Sequence, residues 1–93
     1  MNDANPNLSG CPRVNDGFRL QWEPAQDCHV LLYPEGMVKL NLSAGEILKR
    51  CDGKRSVADI VVELEQAFLT TGLLDETLAF LHLARQNKWV TWS

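Results

Sequence analysis

Near residue 42 the spacing of apolar side chains changes from every second position to every third or fourth. That switch restricts the chain to strands first and helices after. Phe18, Leu20 and Trp22 alternate behind an Asp16-Gly17 bend, and Pro24 ends the run. Residues 28–33 and 37–42 flank Pro34-Glu35-Gly36, where proline presets the first turn torsion, so they read as an antiparallel hairpin. Ser43, with Glu46 three positions on, has the form of a capping box, and Leu42 and Ile47 stand where a hydrophobic staple would sit. Ala44, Ile47, Leu48 and Cys51 share a helical face, and Gly53 supplies a left-handed stop. A second helix starts at Ser56 with Asp59 in a shorter-armed box, carries Val57, Ile60, Val61, Leu64 and Phe68 on one face, and breaks at Thr70-Thr71-Gly72. A third runs from near Asp75 to about Gln86. Its apolar residues Leu78, Ala79, Phe80, Leu81, Leu83 and Ala84 exceed one stripe, so it must face other helices on one side and the sheet or a ligand on the other. Residues 89–92 read as a final strand with Trp89 and Trp92 on one face. The expected fold class is α+β: a small winged helix-turn-helix-like domain of antiparallel N-terminal strands, three helices and a short C-terminal strand.

Size limits what such a fold can do. The chain has 93 residues, 45% of them apolar and 23% charged, with a net charge of -3, which suits one small domain. Residues 1–12, rich in Asn, Pro, Ser and Gly, read as a flexible tail, and residues 13–93 as the domain. A core of this size cannot also line a deep substrate pocket, which argues against a self-contained enzyme. The longest apolar runs, residues 30–33 and 78–81, fall far short of the ~20 residues of a membrane span. The first residues lack the basic and apolar stretches of a secretory signal, so the expected compartment is the cytoplasm.

Little chemistry is written into the side chains. Cys11, Cys28 and Cys51 are widely spaced and odd in number, matching neither a disulfide framework nor zinc-ligand spacing. His29 and His82 lie on different elements without a neighbouring Asp, Glu or Cys at ligand spacing. The glycines never approach the spacing of a phosphate-cradling loop. No catalytic residue, metal site or cofactor of the chain's own is expected.

Three helices and a closing strand raise DNA binding as a rival reading, that of a winged-helix transcriptional regulator. The third helix would be the reader, yet it opens with Asp75 and Glu76 and has no base until Arg85. Lys49, Arg50, Lys54 and Arg55 form the basic cluster of the chain, read chiefly as a solvated helix end. A small oligomeric structural protein is a third reading. An open strand edge and a mobile first segment would also favour a strand-exchanged homodimer.

One longer string is more specific. Leu31-Leu32-Tyr33-Pro34-Glu35-Gly36, Leu40-Asn41 before Ser43-Ala44, Glu46-Ile47-Leu48, Cys51-Asp52-Gly53 and the Ser56-Val57 to Ile60-Val61 helix resemble the PqqD family of pyrroloquinoline quinone biosynthesis. The resemblance runs from about Pro12-Arg13 to Val90. It departs at Asn87-Lys88-Trp89-Val90, where members often carry glycine and where asparagine would supply the left-handed helix stop. The resemblance implies a non-catalytic peptide chaperone. Such a domain binds the leader of a ribosomally made precursor peptide as an added strand, then presents it to a radical S-adenosylmethionine enzyme that joins a Glu and a Tyr of the peptide. Any iron-sulfur chemistry then belongs to that partner. No nucleic acid or membrane partner is implied. The expected peptide-binding residues are Val38, Lys39, Leu40 and Asn41 on the second hairpin strand and Phe80, Leu83, Ala84 and Asn87 on the third helix.

Overall fold

The computed structural model describes residues 6–92. A turn of helix α1 (Pro6–Ser9) precedes strands β1 (Arg13–Val14), β2 (Arg19–Glu23), β3 (Cys28–Tyr33) and β4 (Gly36–Lys39). Helices α2 (Leu42–Lys49), α3 (Val57–Ala67) and α4 (Leu74–Gln86) follow, and β5 (Val90–Thr91) closes the chain. This is the expected α+β order. Strands β2, β3 and β4 form an antiparallel meander in that spatial order, so β2 and β4 are its edges. A separate two-stranded ribbon pairs β1 with β5.

The pleat explains which face meets the helices. Leu20, Leu31 and Val38 lie opposite one another across the three strands, and Trp22 lies opposite His29. Helix α2 crosses this face so closely that a Cβ on Gly45 would stand 2.7 Å from His29 Nδ1, a separation only glycine permits. Leu31, Ile47, Leu48, Val57, Ile60, Leu64 and Leu81 build the core between the sheet and the three helices. The expected inward residues of α2 and α3 are all in that core except Phe68, which caps the end of α3 and is partly exposed.

Several local expectations are corrected. Ser43 and Glu46 form no capping box: the cap of α2 is Asn41, whose side-chain oxygen accepts from the Ala44 amide at 2.8 Å. Asparagine caps as well as serine does, and the earlier start carries Gly45 over His29. The Glu46 carboxylate turns instead to Arg50 at 2.7 Å. Leu42 is therefore the first residue of α2, not the last of the hairpin strand, and is no staple. At Ser56 and Asp59 the expected box is complete, both reciprocal bonds measuring 3.1 Å.

Of the stretch read as a flexible tail, residues 1–5 lie outside the described residues. The rest is laced to the domain: the Gly53 amide donates to the Pro12 carbonyl at 2.9 Å, the Val57 amide to Gly10 at 3.1 Å, and Leu8 packs on the core. A polar composition hides these main-chain bonds. The tryptophans also diverge. Being three residues apart they point to opposite sides, Trp89 to Phe80 and Trp92 to His82 and Arg85. The left-handed residue that ends α4 is Lys88 (φ 64°), one position beyond Asn87.

Candidate functional site

Alternation along β4 decides what its free edge offers. The Leu40 amide donates to the His29 carbonyl at 3.0 Å, and Val38 pairs with Leu31 two positions back. In an antiparallel ladder, residues whose main-chain groups face the partner alternate with residues whose groups face away. Gly36, Val38 and Leu40 thus turn their N–H and C=O toward β3. The amides of Met37 and Lys39 point outward, on the side where β4 has no neighbouring strand.

At the Asn41 end of this edge lies a cavity of ≈ 490 Å³. Its inner wall is the core residues Ile47 and Leu64, and Leu42, Phe68, Leu73 and Phe80 stand around it. The start of α2, the end of α3 and the start of α4 converge here, where each helix buries its inner stripe and Leu42, Phe68 and Leu73 stand at the three helix ends. Glu76 is the ionisable side chain in the lining. Along α4, Glu76, Phe80, Leu83 and Asn87 follow one another at spacings of four, three and four, a single stripe leading away from the cavity.

The structure brings Asn41 and Phe80 together in this cavity. Lys39 is exposed on the strand, and Leu83 is 48% exposed on the α4 stripe. Asn87 lies on the same stripe, its side-chain amide donating to the Leu83 carbonyl at 3.0 Å. Leu40 and Ala84 are placed differently: both are buried in the core and neither lines this cavity. For Ala84 the cause is helical phase, since it shares the inward face of Thr77 and Leu81. Val38 packs against the core and turns its main chain inward. Leu42 and Phe68 are not among the expected site residues, because Leu42 reads as the last residue of the hairpin strand and a staple, and Phe68 as part of the inward face of the second helix.

Other side chains are engaged elsewhere. The basic cluster is largely neutralised: Arg50 bonds Glu46 and Glu63 (2.7 and 3.2 Å), and Arg55 bonds Asp52 and Glu63 (3.0 and 2.8 Å). Arg50's hydrogen bond holds the Glu46 carboxyl below its ordinary value. The Lys54 and Arg55 amides do the same for Asp52. Burial pushes the Cys51 thiol up to about 12, which keeps it protonated and unreactive. His29 lies edge-on to Trp22, and His82 Nδ1 is 3.2 Å from Arg85 Nη2. Among the described residues no cluster of His, Cys, Asp and Glu could hold a metal ion. Nor is any helix there long and apolar enough to cross a membrane.

Comparison with known proteins gives one consistent result. The family model described as Coenzyme PQQ synthesis protein D (PqqD) matches residues 28–90. A PqqA binding protein of Pseudomonas aeruginosa (strain UCBPP-PA14) is 57% identical over 86 residues, 91% of this chain and 94% of that protein. One from Azotobacter vinelandii is 54% identical, covering 89% and 91%. Among solved structures, the solution NMR structure of the PqqD truncation of Methylobacterium extorquens PqqCD superposes with a TM-score of 0.73 at 29% identity, covering 86% of this chain and 87% of that one. That protein is described as a functional and stand-alone recognition element for ribosomally synthesized and post-translationally modified peptides.

Proposed function

The chain belongs to the PqqD family of coenzyme PQQ synthesis proteins, and from that premise we propose that it captures the leader of the PqqA precursor peptide by strand addition to β4. The observation that carries this reading is the pair of outward amides at Met37 and Lys39 on an edge without a neighbouring strand, which leads to the cavity lined by Asn41 and Phe80. Main-chain bonds along that edge supply affinity without demanding a sequence, and the cavity selects the apolar side chains that fix register. Lys39, Asn41, Phe80 and Leu83 contact the peptide through their exposed surface. Val38, Leu40 and Ala84 act from behind, as the packing that holds edge and helix apart.

In this reading the domain is a non-catalytic cytoplasmic chaperone. The Glu-Tyr crosslink belongs to a radical S-adenosylmethionine enzyme to which the leader is presented, and the domain carries no cofactor of its own. Strand addition orders a flexible peptide, so the net affinity is micromolar or tighter, about -8 kcal/mol or better. Calorimetric titration with the leader alone and with the crosslinked core segment alone tests it. Heat from the leader titration is the expected result; binding confined to the core segment contradicts it.

A further inference from the structure

A second, smaller cavity lies on the other side of Leu42. It measures ≈ 190 Å³ and is lined by Trp22, Asp27, Cys28, His29 and Leu40, and it shares Asn41 and Leu42 with the larger one. At about 30 Å³ per water it holds some six waters, room for one large side chain and less than the ~300 Å³ at which small-molecule sites begin. Two apolar residues at its mouth are conspicuously wet: Leu42 is 67% exposed and Trp22 48%. Singly, such residues need no explanation. Here they flank one hollow, and Leu42 also borders the ≈ 490 Å³ cavity, so Leu42 stands between Trp22 on one side and Phe80 on the other.

The occupant follows from where the strand edge leads. Outward amides recur at Met37 and Lys39, and beyond them the chain passes through Asn41 to Leu42, the first residue of α2. A peptide paired along this edge arrives at the ridge between the two cavities. We propose that the leader straddles that ridge, seating one apolar side chain in the larger cavity and another in the hollow between Trp22 and Leu42. Leu42 is then gripped from both sides, and its exposure in the free protein is that of an unoccupied contact. The inference rests on the reading of β4 as the leader's site, and it adds an anchor beyond the β4–α4 groove.

The test uses the full chain labelled with 5-fluorotryptophan. Its three tryptophans give three fluorine resonances, with Trp22 assigned through Trp22→Phe. At saturating leader the Trp22 resonance is expected to shift. Trp92, held under Arg85 on the far side of α4, should stay. Trimming the leader residue by residue from one end should abolish the Trp22 shift while the shortened peptide still binds. Leu42→Ser changes a side chain already in water, so melting should be unchanged while leader affinity falls roughly 5- to 20-fold. A leader that binds without moving Trp22 overturns this inference and leaves the β4 reading intact. A Trp22 resonance that answers only to the added maturation enzyme also overturns it, by giving the hollow to that enzyme. Failure of the leader to bind at all removes the β4 reading, and this inference with it.

Discussion

Leu69 and Lys88 occupy the same kind of position at the ends of α3 and α4, in the left-handed region at φ 53° and 64°. Each closes a helix with a paired set of main-chain bonds: Thr70 to Glu65 and Leu69 to Gln66 in one case, Trp89 to Ala84 and Lys88 to Arg85 in the other. Glycine is the residue that adopts this geometry without steric cost, and Leu69 is also 93% exposed. Leu69→Gly and Lys88→Gly should therefore each raise stability, by about 0.5–1 kcal/mol in denaturant titrations. Gly45 is the reverse case. Gly45→Ala sets a methyl group against His29, and should cost about 1–3 kcal/mol as α2 lifts from the sheet. Nothing in the local sequence announces that contact, since the glycine sits inside a good helical pattern and His29 is sixteen positions away. The Ser56–Asp59 box, by contrast, was legible because all its partners lie within three residues.

Glu46 shows how one charge shapes the pH response. Its folded pKa lies below the ordinary value of 4.5, chiefly through the Arg50 hydrogen bond. The ionised form is thus favoured by folding, and its contribution is present above the unfolded pKa and lost as pH falls through the lowered folded one. Glu46→Gln should accordingly be less stable than the parent at pH 7, with the gap closing at more acid pH. Denaturant midpoints measured at pH 7, 5, 4 and 3 would show it; a gap independent of pH would assign the loss to packing.

Strand β4 is the element on which recognition turns, and its two sides make opposite predictions. Val38→Pro deletes a donor of the β3–β4 ladder and should lower the melting temperature. Lys39→Pro deletes only an outward donor, and the residue before it is already extended as proline requires. That variant should melt close to the parent and bind leader about 5- to 150-fold more weakly, the effect of about 1–3 kcal/mol for one peptide carbonyl left unpaired. Equal losses of melting and binding in both variants would exclude strand addition at this edge. The existence of β4 and its hairpin was plain from alternation about a Pro-Glu-Gly turn. The inward or outward phase of its amides was not, because side-chain pattern reports the faces of a sheet and not the direction of main-chain bonds. The helix after it was legible in its buried face but not at its cap, since asparagine and serine cap about equally well and residue type alone does not choose between Asn41 and Ser43.

Across the whole molecule, the parts least legible were those joining distant segments. The β1–β5 ribbon ties Arg13 to Thr91 and Val14 to Val90, and a two-residue strand carries no period to read. The two cavities likewise arise from ends of elements that meet only in three dimensions. Charge, however, was legible at this scale and agrees with the ion pairs: a net charge of -3, an acidic start to α4 and arginines already paired to carboxylates leave few groups for phosphate. Duplex DNA at physiological salt should cause no sequence-specific gel shift. Whether a strand adds to β4 is answered most directly by amide hydrogen exchange of that strand with and without leader. With free leader at about 100 times its Kd, exchange at Met37 and Lys39, which lack a strand partner in the free protein, should slow by about 100-fold, whereas Val38 and Leu40, bonded to β3, are protected with and without leader. Met37 and Lys39 amides exchanging at unaltered rates in a saturated complex would contradict it.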